Sequence, residues 1–317
     1  MSAPVAAIDC GTNSIRLLIA RRDEASGEMV DLERQLEMVR LGLGVDRTGQ
    51  FDPVAVERTL EAARRYRTLI DHHGVTRQEI RFVATSATRD AANRDLFIDG
   101  IREILGVEPE VISGQEEAAL SFRGAVSTVQ GLPEGPRLVV DIGGGSTELV
   151  LGTETPTHRI SMDIGSVRMT ERHLHSDPPT AVEIAAATAD IDAHLDAAEA
   201  AVPWQSTAAL VGVAGTVTTV TAVATGIQDY RPDITHGARL PIDQVESICR
   251  SLLAETRQQR SLRSVIHPGR IDVIGAGALI WSRIMTRVAT AAAINETRTS
   301  EHDILDGIAL DLLDAVP

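Results

Sequence analysis

The chain contains no lysine: all 30 of its basic residues are arginine. That excludes a Schiff-base lysine, a lysine general base and the lysine of a Walker-A phosphate loop. Genomic codon bias is the plain explanation of the deficit, and the exclusions hold whatever its origin. Arginine, whose planar fork can grip a phosphate through two nitrogens, is left as the permanent cation. Aromatic residues are also scarce, 3% of the chain against 43% hydrophobic, so the cores must be built from Val, Ile, Leu and Ala. There are two cysteines, Cys10 and Cys249, too few for a disulfide framework, and a reducing cytoplasmic location is expected. No apolar run approaches the ~18 residues of a membrane span, and the N-terminus shows no basic region followed by an apolar one. Neither a membrane nor secretion is expected. The net charge of −15 argues against nucleic acid as a partner. An acidic protein that handles polyanions needs local arginines and a metal ion to offset repulsion.

What is present is organised around residues 138–152, LVVDIGGGSTELVLG. An apolar strand ending in Asp141 and Ile142 meets Gly143, Gly144 and Gly145, and a second β-prone run follows from Glu148. The glycines predict a tight turn that admits positive φ and leaves N–H groups bare for an anion. A strand follows the turn, not the helix that a Rossmann or P-loop motif requires. Asp141, at the strand end, can hold a cation. The pattern occurs twice. In VAAIDCGTNSIRLLIA, residues 5–20, Asp9 falls on Asp141, Gly11 on Gly143 and Ser14 on Ser146. Two copies of Asp-x-Gly-x-x-Ser within hairpins predict two related half-domains, each offering a phosphate loop. Position 16, the counterpart of Glu148, is Arg16, so the second hairpin alone carries two acidic groups.

The two loops and the segments below resemble the Ppx/GppA family of exopolyphosphatases and guanosine pentaphosphate phosphohydrolases, over essentially the whole chain. The resemblance implies an α/β fold: two ribonuclease-H-like domains of the actin, Hsp70 and sugar-kinase fold with a cleft between them. Domain one is expected over residues 1–125 with 300–317, and domain two over 126–299.

Along the chain, residues 35–41 read as a third strand, and Asp52-Pro53 as the cap and first turn of a helix. Residues 80–85 read as a buried strand leading into Ser86 and Arg89. The similar family segment lines the active cleft, so Ser86 and Arg89 are expected to meet phosphate. Residues 107–112 and 159–164 read as further strands. Ser113 and Glu116 have capping-box spacing, which would occupy Glu116 and leave Glu117 free, about 100° around the helix. In the family motif the second glutamate of this pair is the proposed general base, which makes Glu117 the candidate. Residues 210–220 read as strand, glycine turn and a β-branched run. The glycines at 212, 215, 275 and 277 would approach adenosine in ATP-binding relatives, or serve close packing. Arg257, Arg260, Arg263 and Arg270 are expected to form a basic patch. A final apolar helix over 304–313 should return to the first domain.

The residues support phosphoanhydride hydrolysis. Asp141 and Glu148 are expected to hold Mg2+ or Mn2+, with Asp9 as an outer carboxylate. Gly11, Thr12, Asn13 and Ser14, with Gly143, Gly144, Gly145 and Ser146, are expected to cradle the terminal phosphate. Glu117 would deprotonate the attacking water. The expected substrate is inorganic polyphosphate, with short chains preferred because no extension follows the last helix. Guanosine pentaphosphate or tetraphosphate is the weaker candidate, and a homodimer is expected. An ATP-dependent kinase and a non-catalytic nucleotide switch of the same fold are the alternatives.

Overall fold

The computed structural model describes residues 2–315; Met1 and residues 316–317, which the expected domain ranges include, lie outside the described residues. The chain divides into two compact units, Met1–Leu120 with Ile304–Pro317, and Ser121–Asp303.

The first unit is built on a five-stranded sheet of β1 (Val5–Cys10), β2 (Ile15–Arg22), β3 (Met29–Glu37), β4 (Ile80–Ala84) and β5 (Glu110–Val111), in the order β3-β2-β1-β4-β5. β1, β2 and β3 pair antiparallel, and β1, β4 and β5 pair parallel. Side chains alternate across a strand, so β1 feeds two cores. Ala6, Ile8 and Cys10 face one core with Leu17, Ile19, Phe82 and Phe97, covered by the helices Pro53–His72 and Asp95–Leu105. Ala7 faces the other with Leu18, Ala20 and Val83, where the helix Ile304–Ala315 contributes Ile304, Leu305, Ile308 and Ala309. Burial of aliphatic side chains at about 1.5–3 kcal/mol each for the larger ones dominates that docking. Arg34–Asp306 and Arg81–Asp311 ion pairs fix its register at smaller gain.

The second unit holds β6 (Arg137–Ile142), β7 (Thr147–Gly152), β8 (Pro156–Met162), β9 (Ala209–Val213), β10 (Arg239–Pro241) and β11 (Glu296–Thr299), in the order β10-β11-β9-β6-β7-β8. β6, β7 and β8 are antiparallel, and β6, β9 and β11 parallel, so the first unit's arrangement is repeated with β10 added at one edge. The α/β class and the paired ribonuclease-H-like topology are those expected.

Three local readings are corrected. The third strand is Met29–Glu37, not 35–41, because the Asp23 carboxylate accepts the N–H groups of Ala25 and Ser26 and turns the chain early. The segment after Glu37 leaves the sheet. The strands expected at 107–112 and 159–164 are Glu110–Val111 and Pro156–Met162. The β-branched run after Gly212 is a helix, Ala214–Thr225, with residues from Thr216 to Ala222 buried, so tertiary packing overrides the modest helix cost of Val and Thr.

Candidate active site

Each hairpin closes in the same way. Gly11 N–H donates to Ser14 O at 3.0 Å, and Gly143 N–H donates to Ser146 O at 3.0 Å. None of Gly143, Gly144 and Gly145 has positive φ, contrary to the sequence reading. At Gly143 crowding is the reason for glycine: an added Cβ would lie 3.1 Å from Ser146 O.

The loop carbonyls are held from outside the hairpins. Thr12 O accepts from Gly42 N–H and Asn13 O from Arg40 N–H, both at 2.9 Å. In the second unit Gly143 O accepts from Ser166 N–H and Gly144 O from Val167 N–H, both at 2.9 Å, at the start of the helix Ser166–His173. Gly145 O accepts from Arg168 Nε at 2.7 Å. In a trans peptide a carbonyl and the next N–H point in opposite directions. Fixing these carbonyls therefore turns the N–H groups of Gly144, Gly145 and Ser146, and those of Asn13 and Ser14, the other way, as an anion nest requires. Both braces depend on a glycine. A Cβ on Gly42 would lie 2.5 Å from Thr12 Cγ2, and one on Gly165 would lie 2.3 Å from Gly144 O. The braces escape a reading of the sequence, in which these two glycines are their one signal.

The cross-strand partners differ between the hairpins. Asp9 lies opposite Arg16 and takes its Nη2 at 2.6 Å, so the expected outer carboxylate is engaged by an arginine. Asp141 lies opposite Glu148, and both are buried, 6% and 1% exposed. Ser121 donates its hydroxyl to Asp141, and Ser161 donates to Glu148 at 2.7 Å.

Around the first loop, Ser86 Oγ and Thr12 Oγ1 share a hydrogen bond at 3.0 Å, tying the loop to the start of the helix Ser86–Asp90, whose cap residue is Thr85. Glu117, in the first turn of the helix Gly114–Val126, is not free. It is 8% exposed, and its carboxylate accepts from Arg89 Nη1 at 2.8 Å. Burial pushes its pKa up from the ordinary value, the Arg89 guanidinium pulls it back, and nearby Asp9 pushes it up again. Glu116 departs from the expected box. Its N–H takes Ser113 Oγ at 3.2 Å, but its carboxylate is drawn to Arg81 at 3.0 Å. The structure thus gathers Asp9, Gly11, Thr12, Asn13, Ser14, Ser86, Arg89 and Glu117 in the first unit, and Asp141, Gly143, Gly144, Gly145, Ser146 and Glu148 in the second.

The glycines that would approach adenosine in an ATP-binding protein are accounted for by packing. An added Cβ would meet Val217 at Gly212 (2.6 Å), Arg270 at Gly215 (2.5 Å), Arg260 at Gly275 (2.7 Å) and Thr216 at Gly277 (2.5 Å). The expected basic patch is also largely consumed. Arg260 is 3% exposed and donates to the carbonyls of Leu252 and Ile271, while Arg263 grips Glu255 through Nε and Nη2.

Among the described residues no group of three or more His, Cys, Asp or Glu is arranged to hold a metal ion. The Asp141–Glu148 pair still fits Mg2+ or Mn2+ in kind. Both donors are hard carboxylates on directly opposed residues, and Mg2+ commonly needs one or two carboxylates, completing its shell with water and substrate phosphate.

Residues 18–312 match the Ppx/GppA phosphatase family. The chain is 47% identical over 315 residues to exopolyphosphatase 2 of Mycobacterium tuberculosis (strain ATCC 25618 / H37Rv), covering 97% of this chain and 98% of that one. The crystal structure of an exopolyphosphatase-like protein matches with a TM-score of 0.94 at 48% identity, covering 99% of this chain and 100% of the other. An exopolyphosphatase from Cytophaga hutchinsonii matches with a TM-score of 0.88 at 27% identity, covering 99% of each.

Proposed function

Since the chain belongs to the Ppx/GppA phosphatase family and is a phosphatase, we propose that it is an exopolyphosphatase that removes terminal phosphate from inorganic polyphosphate. The observation that supports this reading is the repeated hairpin whose loop carbonyls are held by outside N–H groups, so that the N–H groups that follow them point the opposite way. Near full-length similarity to a named exopolyphosphatase supports polyphosphate over guanosine pentaphosphate as the main substrate.

In this reading each loop offers its own amides to phosphoryl oxygens, those of Asn13 and Ser14 in the first unit and those of Gly144, Gly145 and Ser146 in the second, and such donors stabilise the charge that grows there. Glu117 orients a water and takes its proton. The water oxygen bonds to the terminal phosphorus, the bridging P–O bond breaks with its electrons on the departing chain, and orthophosphate is released. Burial suits Glu117 to this duty, because it raises the proton affinity of the carboxylate. Asp141 and Glu148 would hold Mg2+ or Mn2+, which supplies positive charge against the phosphate oxygens when bound.

Arg260 and Arg263 are engaged by internal partners, which takes two arginines of the expected patch away from a long anionic chain and supports a preference for short polyphosphate and release after each cut. Both cysteines are free and buried, which suits the cytoplasm. Among the described residues no helix is long and apolar enough to cross a membrane. The kinase reading loses its support, because packing accounts for its glycines.

The test is orthophosphate release from polyphosphate with Mg2+ and no acceptor. Release supports hydrolysis. Dependence on an added acceptor, or release from guanosine pentaphosphate at a much higher kcat/KM, overturns the reading.

A further inference from the structure

Arginines in this chain grip carboxylates repeatedly through one edge of the guanidinium, the Nε–Nη2 fork. Arg231 holds Asp233 this way at 2.8 and 2.6 Å, Arg263 holds Glu255 at 3.0 and 2.6 Å, and Arg283 holds Asp192 at 3.0 and 2.9 Å. Arg16 turns the same edge on one oxygen of Asp9. Arg89 is arranged differently. Its Nη1 donates to Ile112 O at 3.0 Å and to Glu117 at 2.8 Å. Among the described residues its Nε and Nη2 find no protein acceptor, and its side chain is 23% exposed. A planar guanidinium has five N–H groups, so a full fork remains for an oxyanion.

We propose that Arg89 is a coupler: its Nη1 positions the base Glu117, and its Nε–Nη2 fork takes a phosphate of the bound polyphosphate. The inference rests on the reading of Glu117 as base. A phosphate on the fork draws part of the guanidinium's charge away from Glu117. The carboxylate then gains proton affinity as the substrate arrives, and a water is deprotonated only when there is phosphate to attack. The charged groups facing Glu117 are Arg89 from the helix Ser86–Asp90 and Asp9 from β1. Asp9 is itself held by Arg16 from β2, and the Thr85 hydroxyl lies beside the carboxylate. Arg89 is therefore the cation that acts on it directly.

The test uses the full chain with short polyphosphate across pH, for Arg89→Met, Arg89→Lys and Glu117→Gln. Arg89→Met is expected to raise KM at least ~10-fold through the lost fork and to move the acidic limb of the kcat/KM profile, which reports the free enzyme, up by about one to three pH units through the lost charge. Arg89→Lys keeps charge without a fork, so it should share the rise in KM and return the limb most of the way. A rise in KM with the limb unmoved makes Arg89 a phosphate ligand alone and overturns the coupling. A moved limb with unchanged KM makes it a positioning residue alone and overturns the coupling equally. Arg89→Lys carries the comparison if Arg89→Met fails to fold. Should Glu117→Gln retain near-normal turnover, the base assignment falls, whatever the Arg89 variants do.

Discussion

Asp141 and Glu148 face each other across β6 and β7 at the register that Asp9 and Arg16 hold across β1 and β2. One duplicated position carries opposite charges, and the other carries two carboxylates. Like charges directly opposed in a sheet cost stability, and a divalent cation offsets that cost. Mg2+ or Mn2+ is therefore expected to raise the melting temperature of the protein, and the rise should be lost in Asp141→Asn and Glu148→Gln. Phosphate release should stop in excess chelator. Full activity with chelator present would remove the metal from the account.

Glu117→Gln keeps the size of the side chain and removes its basicity. Turnover should fall by about 10²–10⁴ with KM little changed. Glu116→Gln, which loosens only the contact to Arg81, should keep most of the activity. Steady-state rates for the pair check this, and equal losses would contradict the assignment.

The raised pKa of Glu117 also predicts a stability trend. The folded state holds this proton more tightly than the unfolded chain does. The contribution is full below the ordinary value of 4.5 and is lost as pH rises through the higher folded-state value. The melting temperature of Glu117→Gln relative to the parent should therefore climb between acid and neutral pH. A difference that stays flat with pH would show that burial does not strain this carboxylate.

Gly165→Ala tests the brace behind the second loop. The backbone there accepts an L-residue, at φ −132, but the added Cβ would meet Gly144 O. Overpacking of this kind costs about 1–3 kcal/mol, a fall of several degrees in melting temperature for a unit of this size. The displaced amides should also cost kcat/KM on polyphosphate. Gly226→Ala, on the surface with open space around it, bears only the φ strain and should leave kcat/KM unchanged.

Length analysis of a long, defined polyphosphate during digestion separates the two modes of action. With Arg260 buried and Arg263 paired, intermediate lengths should accumulate, and kcat/KM should depend only weakly on salt. Loss of full-length chains without intermediates would mean that other cations of the protein retain the chain.

Hairpin signals were legible in the sequence because they are local. Asp-x-Gly-x-x-Ser between apolar runs marked both loops, Asp52-Pro53 marked a capped helix, and Gly106 ends another in a left-handed turn. What joins distant segments was not legible. Nothing near Glu117 announces Arg89, 28 positions away, so the residue read as free is buried and paired. Capping-box spacing at Ser113 was real for the hydroxyl, but Arg81 on β4 took the carboxylate. The Thr- and Val-rich run after Gly212 looks extended by propensity and is helical because of what it packs against.

The first unit is completed by the helix Ile304–Ala315, which is made after all of Ser121–Asp303 has been synthesised. During translation Ala7, Leu18, Ala20 and Val83 wait with one face of their sheet uncovered while the second unit is assembled. Closure across so long a stretch of chain is slow, and an open apolar sheet face invites association meanwhile. The acidic last helix and its arginine partners thus place a late, salt-sensitive step at the end of folding, one that a chaperone able to shield an apolar sheet would assist.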